Sequence, residues 1–504
     1  MKLSALLEGV QVTKMFQLVY GRMVVTQDID IQKIEYDSRK VGPRDCFVAI
    51  HGTGTDGHNF VGAAIERGAS VVVLENDGVL PDSYFMHAGT AKIVVPDSRK
   101  ALAILSANYY GHPSKAMKLV GVTGTNGKTT TTHLVRSIFE AAGVKTGLIG
   151  TIEYRVGDTV IPATHTTPES LELNALFADM RRQGCTAVSM EVSSHALHQS
   201  RAYGLAFDAG VFTNLTQDHL DYHGTMDAYL QAKKILFDSL ASSAYAVTNI
   251  DDPNGSAIVG TTHAARLTYS ATKQADVRAE KIDLRIEGTR FTAVHDNEST
   301  TISSPLVGRF NVYNMLAAFS AGIALGIPKE TIRKGIERIQ SVRGRFERIS
   351  SPDGWTVIVD YAHTPDALEK CLLTIHDVLP SKNRGKIITV FGAGGDRDKA
   401  KRPLMGAVAG KLSDTIVVTS DNPRTEDPAS ILDDIIKGLP NDSRFIREVD
   451  RRVAIRKAVE MARPGDVVLI AGKGHEDYQV LGTRKVHFSD REVVTELLSQ
   501  DPHR

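Results

Sequence analysis

The chain has 504 residues, of which 42% are hydrophobic and 23% charged, an ordinary composition for a globular protein of about three domains. Basic and acidic residues both number 59, so the formal net charge is zero, which argues against binding nucleic acid or a membrane surface through bulk charge. Three dispersed cysteines exclude a disulfide scaffold and a cysteine-ligated zinc site, and neither a signal peptide nor a membrane-spanning apolar run is recognisable, so a cytoplasmic protein is expected.

Short β-branched runs recur along the chain, each followed by a turn rich in glycine or aspartate and then by a helical pattern. No internal repeat or low-complexity tract accompanies them. Short apolar strands that alternate with helices predict parallel sheets covered on both faces, so the expected fold class is α/β. The runs begin at Val71, Lys92, Leu119, Val357, Ile387, Ile416 and Val467.

Two breaks in this pattern predict three domains. The cluster Tyr110-Gly-His-Pro-Ser114 precedes the Leu119 strand, and its glycine and proline interrupt regular structure. A second break lies near Arg343-Gly-Arg345, after a long amphipathic segment. The prediction is a smaller α/β domain over 1–112, a central domain over 113–344 and a C-terminal domain over 345–504.

A glycine-rich loop follows the Leu119 strand and precedes a helical pattern that ends at Gly143. Its glycines let backbone N–H groups approach phosphate oxygens, Lys128 would reach the terminal phosphates, and Thr129 offers a hydroxyl to Mg²⁺. This predicts a central sheet like that of P-loop ATPases, although Val122 stands where the strict pattern has glycine. The structural alternative is a glycine turn that merely begins a helix. The predicted nucleotide-binding residues of the loop are Gly124, Thr125, Asn126, Gly127, Lys128, Thr129 and Thr130.

Glu191 ends the next run with strand character, Ala187-Val-Ser-Met190. A carboxylate at the end of a strand beside a phosphate loop is placed to ligate the Mg²⁺ of a nucleotide. The alternative is a solvated glutamate at a strand end.

Three strands of the last domain end in unusual polar loops, and this domain is expected to be Rossmann-like. Ligands bind at the carboxyl ends of strands in open parallel sheets, so the loops can converge. Arg397 and Arg424 suit carboxylates and Glu476 suits an ammonium group, which predicts an amino-acid pocket. A dinucleotide cofactor is not expected, because the first loop lacks the third glycine of that fingerprint. The loops are Gly392-Ala-Gly-Gly-Asp-Arg397, Ser420-Asp-Asn-Pro-Arg424 and Gly472-Lys-Gly-His-Glu476.

Eight motifs in one order, from about Asp37 to about Glu476, resemble the Mur ligase family. The resemblance implies an ATP-dependent amide ligase of peptidoglycan synthesis. It would activate the D-Glu γ-carboxylate of UDP-N-acetylmuramoyl-L-Ala-D-Glu as an acyl phosphate, which the amine of a diamino acid then attacks. The motifs are Thr123-Gly-Thr-Asn-Gly-Lys-Thr-Thr130, His165-Thr-Thr-Pro-Glu169, Glu191-Val-Ser-Ser-His195, Asn214-Leu-Thr-Gln-Asp-His-Leu-Asp-Tyr-His223, Gly308-Arg-Phe-Asn-Val-Tyr-Asn314, Arg343-Gly-Arg-Phe-Glu347, Asp360-Tyr-Ala-His-Thr-Pro-Asp366 and Asp421-Asn-Pro-Arg424.

The resemblance also implies two Mg²⁺ ions, which screen the repulsion between this carboxylate and the triphosphate. Lys233 corresponds to the lysine that the family carbamylates (N6-carboxylysine), because it follows an alanine as that lysine does, whereas Lys234 does not. A carbamate offers two oxygen donors, which suit a hard metal. The expected metal ligands are Thr129, Glu191, His219 and carbamylated Lys233, and the expected catalytic residues are Lys128, Glu191, His219 and Lys233.

Further substrate contacts are carried over from the family by position. Without the resemblance, most of these residues would be assigned to turns or helix caps. The uridine diphosphate end is expected at Tyr36, Ser38, Thr53, Gly54 and Thr55, the muramoyl dipeptide at Thr166, Thr167, Ser193, Gln199 and Arg201, and ATP also at Asn314, Arg345 and Asp360.

In the resembled family, Asp-Asn-Pro-Arg marks enzymes that add meso-diaminopimelate, whereas lysine-adding members replace the arginine. An arginine left unpaired in a lysine complex would cost about 1–3 kcal/mol, which favours meso-diaminopimelate. The similar Asp251-Asp-Pro-Asn254 is discounted, because it lies in the central domain and its neighbours predict a turn. The expected pocket comprises Arg397, Asp421, Asn422, Pro423, Arg424, Gly472 and Glu476.

Three alternatives stay open at this point: the same reaction with L-lysine, a folylpolyglutamate-type ligase with the same loop spelling, and a nucleotide-binding switch without ligase chemistry. The His165 motif and Asp421-Asn-Pro-Arg424 favour a Mur ligase over the folate type, and the polar loops of the last domain argue against a switch. The expected partners are the small-molecule substrates alone, with no nucleic acid or membrane, and the family's usual monomeric state is expected.

Overall fold

The computed structural model describes residues 1–16, 18–19, 22–23, 28–52, 54–380 and 384–499. Contacts divide the chain into two compact units: residues 1–275 with 317–332 form unit one, and residues 276–316 with 333–504 form unit two. Among the described residues, no helix is both long enough and apolar enough to cross a membrane. The division into three domains stays a prediction, because the two units are defined by contacts between residues and do not test it.

The first part of unit one is a small α/β sheet. Its elements are α1 (Leu3–Leu6), β1 (Lys14–Phe16), β2 (Leu18–Val19), β3 (Arg22–Met23), β4 (Ile34–Glu35), β5 (Cys46–Val48), α2 (Val61–Glu66), β6 (Val71–Leu74), α3 (Asp82–Ala88), β7 (Ala91–Val94) and α4 (Ser98–Tyr109). The sheet order is β1-β7-β6-β5-β4, with β4 to β7 parallel and β1 antiparallel at one edge. Every residue of β6 and β7 is buried, as expected for parallel strands covered on both faces.

The central part of unit one is built on eight further strands. Its elements are β8 (Lys118–Thr123), α5 (Lys128–Ala141), β9 (Thr146–Ile149), β10 (Glu153–Val156), β11 (Thr159–Pro162), α6 (Ser170–Arg182), β12 (Ala187–Glu191), α7 (Ser194–His198), β13 (Ala209–Phe212), α8 (Leu220–His223), α9 (Met226–Asp238), β14 (Tyr245–Asn249), α10 (Gly255–Ile258) and β15 (Ala265–Ser270). Strands β9, β12, β8, β13, β14 and β15 are parallel neighbours in that order, and the antiparallel hairpin β10–β11 extends the β9 side. Because β8 lies between β12 and β13, the segments that follow these three strands meet at one edge of the sheet.

Unit two contains a further α/β sheet and an antiparallel meander. Its elements are β16 (Val277–Arg285), β17 (Gly288–His295), β18 (Glu298–Ser304), β19 (Glu347–Ser350), β20 (Thr356–Asp360), α13 (Pro365–Val378), β21 (Ile387–Phe391), α14 (Lys401–Leu412), β22 (Thr415–Val418), α15 (Pro428–Ile436), β23 (Phe445–Arg447), α16 (Arg451–Met461), β24 (Val467–Ala471), β25 (Tyr478–Leu481), β26 (Arg484–His487) and α17 (Asp490–Ser499), while α11 (Arg309–Ala324) and α12 (Lys329–Arg338) each contribute residues to both units. The sheet order is β19-β20-β24-β21-β22-β23, in which only the β19–β20 pair is antiparallel.

Alternate residues of these strands pack into two different apolar cores, one on each face of the sheet. Ile358 and Leu469 face one apolar cluster, whereas Val357 and Val468 face the other. This alternation follows from the two-residue period of a strand. All seven predicted runs are strands, and the fold is α/β as expected. The sheets are mixed rather than purely parallel, because antiparallel strands are added at their edges.

Candidate functional site

The glycine-rich loop between β8 and α5 has a conformation that requires its glycines. Gly124 has φ +147°, and a Cβ atom there would lie 1.9 Å from the Thr213 Oγ1 atom. Gly127 has φ +87° and directly precedes α5. The segment after β13 fixes the loop, since Thr125 N donates to the Asn214 carbonyl at 2.8 Å and Asn126 N donates to Asn214 Oδ1 at 3.0 Å. The loop therefore presents the N-terminus of α5, which is a site for phosphate.

Two lysines converge on the carbonyl of Gly124. Lys128 Nζ donates to the Gly124 and Thr125 carbonyls at 2.9 and 2.8 Å, and Lys233 Nζ, from α9, donates to Gly124 at 2.8 Å. Lys233 is only 1% exposed, and in the described part of the chain no carboxylate lies within 4.0 Å of its Nζ. Burial, with the charge of Lys128, holds the pKa of Lys233 well below its usual value, against a smaller opposing effect of Asp218. These surroundings favour the neutral, nucleophilic form of the Lys233 amine.

Glu191 ends β12 beside the loop and is 1% exposed. Its Oε1 accepts a hydrogen bond from Thr151 N at 2.8 Å and its Oε2 accepts one from the Thr151 hydroxyl at 3.0 Å. A Cβ atom at Gly150 would lie 2.6 Å from Oε1, so the backbone passes close to this carboxylate. The solvated alternative for Glu191 is therefore wrong.

His219 lies in a cluster of aromatic rings next to the loop. It has φ +53°, and its ring centroid is 4.8 Å from that of His195, which in turn lies 4.2 Å from that of Tyr222. Burial lowers the pKa of His195 to about 4, and nearby positive groups, beginning with His219, add to this. Burial also lowers the pKa of His219, reinforced by Lys128 and Lys233 and opposed by Asp218. Both imidazoles are therefore neutral near pH 7, as a metal ligand must be.

The residues predicted for the muramoyl dipeptide are connected by hydrogen bonds. The Thr167 hydroxyl donates to the Glu191 carbonyl at 2.8 Å and accepts from Ser193 N at 3.1 Å. Arg201 donates to the Thr167 carbonyl at 3.0 Å and to Gln199 Oε1 at 2.7 Å. The structure thus brings four of the five together.

Thr166 is the fifth of these residues, and Thr151 connects it to the carboxylate of Glu191. The Thr166 and Thr151 hydroxyls are 3.1 Å apart, and Thr151 also donates to Glu191. The predicted dipeptide residues and Glu191 therefore share one hydrogen-bonded network.

The residues predicted for the uridine diphosphate end lie in the first sheet of unit one. The Tyr36 hydroxyl donates to Glu172 Oε1 at 2.8 Å, and burial, with the charge of Glu172, raises the pKa of Tyr36. Ser38 is buried in a short 3-10 helix, whereas Gly54 and Thr55 are exposed. Thr53 lies outside the described residues.

Arg99 is a basic residue close to this region that the sequence did not single out. Its Nε donates to the His51 carbonyl at 2.9 Å, and its Nη1 lies 3.4 Å from Glu169. Glu169 also pairs with Arg201 at 2.9 Å. Two guanidinium groups therefore flank one carboxylate beside the predicted dipeptide residues.

Three residues expected to contact ATP lie in unit two. Asp360 ends β20 and accepts hydrogen bonds from Phe346 N at 2.6 Å and Ala362 N at 2.8 Å. The Arg345 guanidinium lies 4.9 Å from the centroid of the Tyr361 ring, and its Nε is buried without a hydrogen-bond partner within the described ranges. Asn314, on α11, is buried and donates to Asn311 Oδ1 at 2.9 Å.

The loops after β21 and β22 pack against each other through glycines. A Cβ atom at Gly395 would lie 1.9 Å from the Pro423 carbonyl oxygen, and one at Gly392 would lie 2.2 Å from that of Thr419. Arg424 has φ +52° and donates from Nη1 to the Gly395 carbonyl at 2.7 Å. Strained backbone of this kind concentrates at ligand sites.

Arg397 is the exposed member of the predicted pocket. Its Nη1 donates to the carbonyl of Asp396 at 3.1 Å, and its side chain is on the surface of the first loop. Arg397 and Arg424 thus belong to two loops that are in contact.

The loops after β22 and β24 meet at Asn422 and Glu476. Asn422 Nδ2 donates to Glu476 Oε2 at 3.0 Å, and Asn422 Oδ1 accepts from Val480 N at 2.9 Å. Gly472 has φ +117°, and a Cβ atom there would lie 3.6 Å from Asp421 Oδ2. All three polar loops of unit two therefore converge, as the sequence predicted.

An ion pair lies behind these loops. Arg451 and Asp490, both 0% exposed, pair through two hydrogen bonds of 2.7 and 2.8 Å. Arg451 also donates to the carbonyls of Ser420 at 3.3 Å and Ala471 at 3.1 Å, the residues that directly precede Asp421 and Gly472. The pair therefore fixes the starting points of two loops at once.

Three segments of the chain match descriptions of one family. Residues 30–110 match "Mur ligase family, catalytic domain", residues 122–322 match "Mur ligase middle domain", and residues 344–474 match "Mur ligase, glutamate ligase domain". The chain belongs to the Mur ligase family.

Similar proteins cover nearly all of this Mur ligase. A Clostridium botulinum protein named UDP-N-acetylmuramoyl-L-alanyl-D-glutamate--2,6-diaminopimelate ligase is 47% identical over 474 residues, which are 94% of this chain and 96% of that protein. A solved structure titled as an enzyme of the same name has a TM-score of 0.70 and 33% identity, covering 96% of this chain and 98% of that one. Mycobacterium tuberculosis folylpolyglutamate synthase complexed with ADP has a TM-score of 0.60 and 17% identity, covering 74% of this chain and 91% of that one, so it shares the fold.

Sequence reasoning about this Mur ligase missed several polar residues beside the predicted ones. His195 and His223 were present in the quoted motifs but were given no role. Arg99 and Arg451 carried no signal, because the sequence does not distinguish a buried cation from a solvated one. Lys473 was given no role, and the signal that could have indicated it is its position between two glycines at the end of a strand, in Gly472-Lys-Gly474.

Proposed function

We propose that this chain uses ATP to join meso-2,6-diaminopimelate to the D-Glu γ-carboxylate of UDP-N-acetylmuramoyl-L-Ala-D-Glu, in peptidoglycan synthesis. The γ-phosphoryl group of ATP passes to the carboxylate and gives an acyl phosphate and ADP. The substrate amine then attacks the acyl carbon, the C–N bond forms, and phosphate leaves as the amine loses its proton. The chain's membership of the Mur ligase family and its relatives' names support this reaction.

The phosphate loop binds the triphosphate in this proposal. The N–H groups at the start of α5 and the Lys128 ammonium face the phosphate oxygens, and Lys128 exchanges its bonds with the loop carbonyls for bonds to phosphate. Asn314, Arg345 and Asp360 contact the rest of the nucleotide. Arg345 is suited to this role because its buried Nε has no partner within the described ranges.

The residues expected to bind Mg²⁺ fit a hard divalent cation. Thr129 and Glu191 offer oxygen atoms, His219 offers a neutral imidazole, and a carbamate on Lys233 would add two oxygens. Bound Mg²⁺ would neutralise charge on the phosphates and the carboxylate.

Carbamylation of Lys233 follows from its surroundings in this proposal. A carbamate forms when a neutral amine attacks carbon dioxide and loses a proton. The lowered pKa of Lys233 favours the neutral amine that this reaction needs, and the modification places an anion beside the Lys128 ammonium. Lys128 disfavours a charged amine at Lys233, whereas it would attract the carbamate.

The observation that carries the choice of amino acid is the convergence of two arginines, an amide and a carboxylate at the ends of three strands. Arg397 and Arg424 bind the two carboxylates of meso-diaminopimelate, and Glu476, held by the Asn422 amide, accepts from an ammonium group. L-Lysine lacks the second carboxylate, so its complex would leave one arginine unpaired. A folate-type ligase, which shares the fold, would not require these two arginines, this amide and this carboxylate together.

The proposal extends to location and assembly. Because the reaction consumes ATP, we place the enzyme in the cytoplasm, and it acts as a monomer on small-molecule substrates.

Arg424→Ala tests the amino-acid pocket. We expect the KM for meso-diaminopimelate to rise about 100-fold, because a charged hydrogen bond is lost, while the KM for ATP stays within about twofold. Arg447→Ala, which removes an exposed arginine of the same unit, is the matched control. Unchanged turnover of meso-diaminopimelate by Arg424→Ala would place its carboxylates elsewhere.

A further inference from the structure

Lys473 is enclosed between the loops of the amino-acid pocket. Its side chain is 0% exposed, and its Nζ lies 3.2 Å from Glu476 Oε2, 3.3 Å from Asn422 Oδ1 and 3.4 Å from Asp421 Oδ1. The Tyr478 ring closes the same cluster, with its centroid 5.6 Å from Nζ. One buried ammonium therefore contacts three predicted pocket residues from two different loops.

The glycines on both sides direct this side chain inward. Gly472 and Gly474 both have positive φ, +117° and +52°, and a Cβ atom at Gly474 would lie 2.7 Å from the Cβ of Tyr361. The backbone can make this close turn only with glycine at that position. The loop thus holds Lys473 beneath the pocket while Glu476 stays partly exposed.

Lys473 contacts only one of the two carboxylate oxygens of Glu476. In the part of the chain that the structure describes, every hydrogen bond to this carboxylate, from Asn422 and from Lys473, is made to Oε2. Oε1 is thereby left for a ligand. Asn422 is oriented in the same way, because its Oδ1 accepts from Lys473 and Val480, which directs its amide NH₂ toward Glu476.

The charges of two neighbouring carboxylates explain why a lysine can occupy this buried position. Asp421 and Glu476 both lie within 3.4 Å of one nitrogen, so without the ammonium two carboxylates would repel each other inside the pocket. Arg451 lies behind the same loops and bonds their preceding carbonyls, but it is already paired with Asp490. Lys473 is the cation that the two pocket carboxylates share.

We propose that Lys473 is the positioning residue of the amino-acid pocket: with the Asn422 amide it holds Glu476 Oε2, and this leaves Oε1 of that carboxylate to accept from the ammonium group of the incoming diamino acid. It does not touch the substrate, since its side chain is enclosed, and it acts through the two residues it holds. The inference rests on the proposed function, and it adds a residue that determines how tightly the amino acid binds.

The test measures phosphate release against the concentration of meso-diaminopimelate for Lys473→Ala and Lys473→Met. Both variants should raise the KM for meso-diaminopimelate about 100-fold, equivalent to about 2.8 kcal/mol, with the KM for ATP within about twofold. Added ethylammonium should restore Lys473→Ala, because the cation refills the space left by the side chain. It should not restore Lys473→Met, in which the methionine occupies that space, and tetramethylammonium, which has no N–H donor, should restore neither.

Lys411→Ala is the matched control, since Lys411 is an exposed lysine of the same unit, and it should behave as the unsubstituted chain does. An unchanged KM for meso-diaminopimelate in the Lys473 variants, with an active unsubstituted chain, would overturn the inference and leave the proposed function intact. A raised KM without rescue by ethylammonium, or failure of Lys473→Met to fold, would overturn it in favour of a purely structural lysine. An unsubstituted chain that does not respond to meso-diaminopimelate would overturn both proposals.

Discussion

Lys233 has the most unusual surroundings of the residues at the phosphate loop. It is buried beside Lys128, and both ammonium groups bond to the same carbonyl. A buried lysine without a carboxylate loses its proton readily, because burial and a neighbouring cation both disfavour the charged form. Lys234, the next residue, pairs with Asp238 at 2.6 Å and has no such surroundings.

Lys233→Ala should abolish ligation, whereas Lys234→Ala should leave it within about twofold of the unsubstituted chain. The reason is that only Lys233 is placed to carry a carbamate next to the phosphate loop. Short carboxylates added to Lys233→Ala should restore part of the activity by replacing the missing oxygens. Phosphate release measures each case, and full activity in Lys233→Ala would contradict this role.

At the residue scale, the sequence predicted the types of functional residues but not their burial. The strand ending at Glu191 gave its position at the sheet edge, yet a solvated glutamate was an equal possibility until Thr151 was found to bind both oxygens. Lys473 had no prediction, because its burial depends on contacts with a loop some 50 residues earlier in the chain. Such contacts are set by tertiary structure and leave no local pattern.

At the scale of elements, the phosphate loop depends on how closely β13 approaches β8. The Thr213 hydroxyl donates to the carbonyl of Asn126 at 2.6 Å, and Gly124 lies so close to the same hydroxyl that it has no room for a side chain. The loop conformation is therefore imposed by the adjacent strand as well as by its own glycines.

Gly124→Ala should remove ATP binding, because its methyl group would lie 1.9 Å from the Thr213 oxygen and at a φ that alanine disfavours. Gly143→Ala is the matched control: its φ is also positive, but nothing lies within 4 Å of a Cβ atom there, so it should cost only about 1 kcal/mol of stability. Nucleotide affinity, measured by calorimetry, distinguishes the two. Normal affinity in Gly124→Ala would mean that the loop can move away from β13.

Helices α16 and α17 are joined by two ion pairs in different surroundings. Arg451–Asp490 is fully buried, whereas Arg452–Glu496 is half-exposed. Asp490→Ala should destabilise unit two by about 3–5 kcal/mol, because it leaves Arg451 buried without its carboxylate. Glu496→Ala should cost at most about 1 kcal/mol. Denaturant unfolding measures both, and equal losses would show that Arg451 finds another partner.

The seven predicted strands are mostly buried, whereas some buried strands, such as β9 and β13, were missed together with more exposed ones. All seven apolar runs are parallel strands or lie within them, because complete burial demands continuous apolar residues. The meander β16–β18 was not predicted, since its strands carry many exposed polar residues. The edge strand β1 was missed because it is short and only partly buried.

At the scale of the whole molecule, several histidines affect stability in the same direction. Burial lowers the pKa of His195 to about 4 and that of His475 to about 3, and it lowers the pKa of His219 and His223 as well. In the unfolded chain these groups have the usual pKa of about 6.5. Below that pH the unfolded chain binds more protons than the folded one, so acid favours unfolding.

The melting temperature should therefore fall as the pH decreases from about 7.5 to about 5, a range in which most carboxylates stay ionised. His195→Gln should reduce this dependence, because one of the contributing groups is removed. Replacement of His376, whose Nε2 lies 2.9 Å from the Leu412 carbonyl oxygen, is the control. A melting temperature that does not change over this range would contradict the account.

The assignment to one reaction rests on features from both units, considered separately. Unit one supplies the phosphate loop, Lys233 and Glu191, and unit two supplies the converging polar loops. The order of eight motifs already implied the family from the sequence, because it resembles the order found in Mur ligases. The contacts within each site, such as that between Asn422 and Glu476, required the structure.

Phosphate release from ATP in the presence of UDP-N-acetylmuramoyl-L-Ala-D-Glu is the most direct test of the central claim. It should be measured with meso-diaminopimelate, with L-lysine and with no amino acid. The account predicts release with meso-diaminopimelate alone, because only that substrate has carboxylates for both arginines. Release with L-lysine at an equal rate would contradict the arginine pocket, and no release with either amino acid, from protein that binds ATP, would contradict the reaction itself.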